Sequence, residues 1–269
     1  MKMPKLLEEL SCGDIEYIFF DIDDTFTTHG KISKDAFVSL WNLHERGKKI
    51  IPVTGRPAGW CDHIARMWPV DAVVGENGAF YFMMKNNKLY KQYLISEEER
   101  IANNLKLEKI KYEILKKLDK VRLSKDQNYR EFDLAIDFAE EVTIDIVEER
   151  SQIIKEITNI FKFYKANCKI SSIHVNGWFG NYDKVFMTKQ LANKEFFIDL
   201  DKESDNQKCV FCGDSPNDMP MFDLFNLSVG VNNVLDFYDQ LKNPPKYITK
   251  HRYGEGFREL VIKILDNQA

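Results

Sequence analysis

The 269-residue chain is expected to adopt an α/β fold: a doubly wound, mainly parallel, Rossmann-like core with a smaller inserted α+β cap. Three observations predict it. Short apolar runs ending in Gly, Thr or Asp alternate with helical patterns, as in a parallel sheet buried on both faces. Polar residues gather at the carboxyl ends of those runs, where open α/β sheets bind ligands. From about residue 84 to 182 the pattern changes to long amphipathic helices and a strictly alternating strand.

"EYIFFD" (16–21) reads as the first core strand, and Ser33 as the cap of a helix carrying Phe37, Leu40, Trp41 and His44, with Gly47 at its end. "KKIIPVTG" (48–55) and "DAVVGENG" (71–78) are the next strands. At Ser96 a capping box with Glu99 opens a long helix with Ile101, Leu105, Tyr112, Leu115 and Leu118 at helical spacing. "FDLAIDF" sets Phe132, Leu134, Ile136 and Phe138 against Asp133, Ala135 and Asp137, which predicts a sheet open to water on one side and two solvated aspartates. A helix over roughly 149–164 and another strand near "KISSIHV" complete the insert. "KCVFCGD" (208–214) and "LSVGV" (227–231) then return to the core. The expected division is 1–83 and 183–269 for the core, with 84–182 as the insert.

With 44% hydrophobic residues the chain can bury a substantial core. No run approaches the roughly 18 apolar residues of a membrane span, and Glu8 and Glu9 interrupt the place a signal peptide would occupy. Five scattered cysteines do not form a disulfide framework, so a reducing, cytoplasmic setting is expected, with Cys209 and Cys212 as small core residues. A net charge of −4 supplies no field for nucleic acid, and the Lys-rich stretch 106–120 alternates with Glu like a solvated face. A small anion at a local site is compatible with this balance.

The chemistry is concentrated at the strand ends. Asp21 and Asp23 lie on one side of an extended chain, where carboxylates about 4 Å apart repel by roughly 4 kcal/mol at an effective dielectric near 20, a cost that invites a cation. In "GDSPNDMPMF" Ser215 and Pro216 suit a helix start; Asp214 and Asp218 have no such explanation unless they reach the same cation, and an oxygen-only set suits Mg²⁺. Thr54, at the end of the second strand, and the amides after it can seat an anion. Lys184 opens a helix, where a cation gains nothing from the helix dipole and a bound phosphate would justify it. Asp24 points away and reads as a capping residue.

Together these residues resemble the haloacid dehalogenase superfamily of aspartate-nucleophile phosphotransferases. "DIDDT" (Asp21, Asp23, Thr25), "VTGR" (Thr54), Lys184 and "GDSPND" (Asp214, Asp218) match its four motifs in type and order, and the insert with "ENGA" (76–79) is similar to its subfamily with an α/β cap, which includes several sugar-phosphate phosphatases and phosphomannomutase. The resemblance implies Asp21 as nucleophile, Asp23 as acid and base, Thr54 and Lys184 as phosphoryl ligands, and Mg²⁺ held by Asp21, the Asp23 carbonyl and Asp214. Asp218 would support the metal waters or Lys184. The implied activity is hydrolysis of a small phosphorylated metabolite, a sugar phosphate first, through an aspartyl phosphate. A phosphomutase is the nearest alternative and a non-catalytic binding protein a more distant one. Substrate contacts are expected from Thr54, Gly55, Asn77 and Asn217, with Lys184, from Arg56 unless it pairs with a carboxylate of the insert, and from His174, Asn176 and Trp178 in the aromatic-rich segment 171–184.

Overall fold

The computed structural model describes residues 3–171 and 173–266. Its first compact unit comprises residues up to Gly55, Cys61–Gln92 and the chain from Tyr182 onward; the second comprises Arg56–Trp60 and Tyr93–Asn181.

In the first unit, β1 (Lys5–Leu6), β2 (Tyr17–Phe20), α1 (Lys34–Glu45), β3 (Lys49–Pro52), α2 (Ala58–Met67) and β4 (Val73–Gly75) come first, and β5 (Phe80–Lys85) and β6 (Lys88–Tyr93) follow at its edge. Further along the chain lie α5 (Lys184–Phe196), α6 (Glu203–Asn206), β11 (Cys209–Gly213), α7 (Met219–Leu224), β12 (Leu227–Gly230), β13 (Tyr247–Ile248) and α8 (Tyr253–Asp266). The main sheet runs β1-β13-β12-β11-β2-β3, with parallel neighbours throughout. A parallel bridge between Val53 and Val74 continues it toward β4, which pairs antiparallel with β5.

Both sheet faces are apolar, as the short hydrophobic strands require. Ile18, Phe20, Ile50, Val210, Cys212 and Val229 pack with Leu40 and Leu43 of α1 and with Phe257, Leu260 and Ile264 of α8. On the alternate positions Phe19 meets Phe225, and Phe211 meets Phe222 and Phe225. Each such side chain contributes roughly 1.5–3 kcal/mol of hydrophobic stabilisation. Ser33 caps α1 by accepting from the Ala36 amide. Cys209 and Cys212 are buried, unbridged strand residues.

The second unit contains α3 (Glu97–Lys117), β7 (Arg122–Leu123), β8 (Asp133–Asp137), α4 (Val147–Phe163), β9 (Asn167–Ile170) and β10 (His174–Trp178), in sheet order β7-β8-β10-β9 and antiparallel throughout. Leu134, Ile136 and Val175 pack against Ile110 and Ile114 of α3 and Ile157 and Phe161 of α4.

Three expectations for this unit need correction. Near "KISSIHV" there are two strands, β9 and β10, where one was expected, and the segment spans the turn between them, where the Ser171 hydroxyl accepts from the His174 amide at 2.9 Å; Ser172 lies outside the described residues. The helix α3 buries Asn103, Leu107, Ile110 and Ile114, followed by Leu118, whereas Ile101, Leu105, Tyr112 and Leu115 are exposed. Two apolar stripes satisfy the same periodicity, and contact with the sheet selects one. Finally, Asp133 and Asp137 are buried, not solvated. Arg130 donates to both Asp133 oxygens at 2.9 and 3.2 Å and Asn176 adds a third donor, while the Asp137 carboxylate accepts from the amides of Ala139, Glu140 and Glu141. Such charge-assisted bonds are what allow a carboxylate to leave water.

Candidate active site

Strand register assembles the site. Phe20 pairs with Cys212 of β11 and with Pro52 of β3, so the chain leaves all three strands at one level. The Asp21 amide donates to the Cys212 carbonyl at 2.9 Å, and the Thr54 amide donates to Val74 at 2.9 Å. Asp21, Thr54 and Asp214 are thereby carried to the same sheet edge, all buried.

Asp21, Asp214 and Asp218 each present a carboxylate oxygen, and these oxygens lie within 4.8 Å of one another. Lys184, the first residue of α5, reaches into this group: its Nζ donates to Asp21 Oδ1 at 2.7 Å and Asp218 Oδ1 at 2.9 Å. Asp183 caps α5 by accepting from the Phe186 amide, so the lysine has two carboxylate partners that offset its position at a helix N-terminus. Thr25 donates to Asp214 Oδ1 at 2.9 Å. Asp218 Oδ2 accepts the Asp214 amide at 3.1 Å, so both Asp218 oxygens are engaged by the protein. Gly213 permits this approach, because a Cβ there would stand 2.7 Å from Asp218 Oδ2.

Burial pushes the Asp21 carboxyl up to about 7, against the pull of Lys184 and with the repulsion of Asp218 and Asp23. Burial likewise pushes Asp214 well above the carboxylate range, reinforced by Asp218 and Asp21. Burial opposes the Lys184 charge, but Asp21 and Asp218 raise its pKa above that of an ordinary lysine. Three buried carboxylates face one ammonium. A divalent cation would supply the missing positive charge, and hard oxygen donors fit Mg²⁺. Asp21 and Asp214, carried to one level by β2 and β11, are the residues suited to hold it, while Asp218 bonds Lys184 and the Asp214 amide.

Asp23 is half-buried in the turn after β2 and outside that trio of carboxylates. Asp24 acts through its backbone: with φ of 55° its amide donates to Thr27 Oγ1, and its carbonyl accepts from Asn233. Gly55 adjoins the Asn77 side chain, and Asn77 sits in the tight turn Glu76–Gly78 with φ of 56°. Asn217 is half-buried in the turn Pro216–Asp218, where Ser215 makes no side-chain cap.

The remaining expected substrate residues belong to the second unit. Arg56 lies 3.9 Å from both Asp126 and Glu140, with its guanidinium 4.4 Å from the Trp60 ring centre. His174 is buried with Nε2 2.9 Å from Glu140, and burial lowers its pKa even though Glu140 opposes the shift. Asn176 donates to Asp133 at 2.9 Å, and Trp178 is buried in β10.

Asn233 was not legible as a site residue. Its Nδ2 donates to the Asp24 carbonyl at 2.9 Å and to Asp214 Oδ2 at 3.4 Å, and its Oδ1 accepts from the Tyr253 amide. The available signal was its place just beyond the carboxyl end of β12, where such sheets bind ligands.

Two curated relatives span nearly the whole chain. A phosphoglycolate phosphatase of Methanobrevibacter smithii is 26% identical over 94% of this chain and 99% of its own. Phosphoglycolate phosphatase 1 of Saccharolobus solfataricus is 25% identical over 94% and 97%. The crystal structure of a Thermoplasma acidophilum protein superposes with a TM-score of 0.69 at 20% identity, covering 94% of this chain and 99% of that one, and so shares the fold. The family model for haloacid dehalogenase-like hydrolases matches residues 18–259, and the chain belongs to that family.

Proposed function

We propose that the protein is a Mg²⁺-dependent phosphatase of a small phosphorylated metabolite, acting through an aspartyl phosphate on Asp21. One observation carries the reading: the buried Lys184 ammonium, bonded to Asp21 and Asp218 beside Asp214, is a cationic seat at the nucleophile. An arriving phosphoryl group takes the lysine's free capacity and the Thr54 hydroxyl. The Asp21 oxygen attacks phosphorus, the bond to the leaving oxygen breaks, and Asp23 gives that oxygen a proton. Asp23 then takes a proton from the water that hydrolyses the aspartyl phosphate and releases Asp21. Asp21 and Asp214, with the Asp23 carbonyl, would hold Mg²⁺, which would supply positive charge against the phosphoryl oxygens. Asp218 positions Lys184.

A sugar phosphate is the substrate class suggested by the polar and aromatic residues of 174–182: His174, Asn176 and Trp178, with Arg56, are the proposed selectivity residues of the second unit, and Gly55, Asn77 and Asn217 the proposed substrate contacts of the first. The curated relatives favour a second reading, a phosphorylated hydroxy acid such as 2-phosphoglycolate. Phosphate release from a panel of sugar phosphates and 2-phosphoglycolate, with Mg²⁺ and with EDTA, separates the two. The phosphatase reading fails if no phosphate is released from any of them by folded, Mg²⁺-loaded protein, or if Asp21→Asn releases it as fast as wild type.

A further inference from the structure

The exposed stripe of α3 has the form of a self-complementary interface. Ile101, Leu105, Glu108, Tyr112 and Leu115 recur at alternating spacings of four and three, the spacing of a coiled-coil seam. They lie on the side of α3 opposite the residues it buries. The apolar members are 54%, 64%, 68% and 37% exposed in chain order. A scattered surface leucine needs no explanation, but four large apolar side chains in one register form a continuous patch.

The geometry points to a second copy of this chain as the occupant, with the two α3 helices antiparallel across a two-fold axis. A two-fold interface requires that residue i meet j while j meets i. The stripe nearly satisfies this about its own middle: from Glu108, the apolar positions lie seven and three residues before it and four and seven after it. The charges agree, since the first turn carries Glu97, Glu98 and Glu99 and the last turn Lys116 and Lys117. Antiparallel pairing sets each acidic end beside a basic one, whereas a parallel pair would oppose like charges. At the axis the two Glu108 residues face one another, each carboxylate paired with Lys111 of its own helix, and form the polar break of the seam.

The patch offers roughly 400 Å² per copy against about 800 Å² for a standard interface, so association is weak and concentration-dependent. Sedimentation equilibrium of the full chain from about 10 μM to about 1 mM should show a monomer–dimer equilibrium. Leu105→Glu with Tyr112→Glu should abolish it, at exposed sites that leave the thermal unfolding of the chain unchanged. Glu108→Leu should tighten it at least tenfold by removing the polar break in the seam. Lys116→Glu with Lys117→Glu should weaken it, and Glu97→Lys with Glu98→Lys added on the same chain should restore it. A monomer at every concentration overturns the proposal and leaves the stripe to another protein or to solvent. A dimer indifferent to Leu105→Glu with Tyr112→Glu overturns it too, and failure of the charge reversal to restore association overturns the antiparallel pairing.

Discussion

Replacing Gly78 with alanine tests whether the turn after β4 sets the position of Lys184. Gly78 has φ of 105°, and a Cβ there would stand 2.0 Å from the Asp183 carbonyl oxygen, 2.4 Å from its carbon and 3.0 Å from the Lys184 nitrogen. Ordinary van der Waals contact begins near 3.4 Å, so the first turn of α5 must retreat by about 1 Å or more. The retreating backbone carries the ammonium that sits 2.7 Å from Asp21 and 2.9 Å from Asp218. A displacement of about 1 Å at a reacting centre costs on the order of 100-fold in turnover. Overpacking and the left-handed backbone add roughly 2–5 kcal/mol of lost stability.

Gly30→Ala is the control, because Gly30 also has positive φ, 74°, but a Cβ there meets nothing within 4 Å. It should cost about 1–2 kcal/mol and leave turnover intact. The assay is kcat and KM for p-nitrophenyl phosphate with Mg²⁺, beside thermal unfolding of both variants. If Gly78→Ala kept kcat within twofold of wild type and lost no more stability than Gly30→Ala, the turn would not be positioning Lys184.

Other perturbations probe the rest of the molecule. Asp21→Asn should reduce phosphate release by at least 10³-fold with folding intact, read by steady-state kinetics and circular dichroism. Asn233→Ala removes donors to Asp24 and Asp214 and should destabilise by about 1–3 kcal/mol while raising the Mg²⁺ concentration needed for half-maximal activity, measured by titration. Arg130→Met leaves Asp126 and Asp133 buried without their guanidinium and should cost about 3–5 kcal/mol in denaturant unfolding. The same pair gives a pH signature. Burial works to raise Asp126, but Arg130, with the Ser124 hydroxyl and His174, holds the carboxyl below its usual range, so its stabilising contribution is present above about pH 4 and is lost as the pH falls through the lowered value. Unfolding free energy should drop on acidification below about pH 4 in wild type and drop less in Arg130→Met.

The second unit shows where periodicity stops informing. α3 carries apolar residues on two opposite sides, and spacing identifies both as stripes without ranking them. The sheet selects Leu107, Ile110 and Ile114 because those lie against Leu134 and Val175. In β8 the alternation correctly separates Leu134 and Ile136 from Asp133 and Asp137, but polarity was a poor guide to exposure. Arg130 sits three residues before Asp133, close enough to accompany it out of water, and the amides of 139–141 do the same for Asp137.

The sequence by itself determined the parallel core, the chemistry of its strand ends and the family, since short apolar runs that stop in Asp, Thr and Gly carry both the buried sheet and its polar edge. Tertiary structure decided which of those polar groups meet. Register between β2, β3 and β11 puts Asp21 level with Asp214, and the packing of Gly78 on the start of α5 brings Lys184 to a carboxylate 163 residues away in the chain. Such meetings depend on distances between strands and helices far apart in sequence, and local spacing holds no record of them.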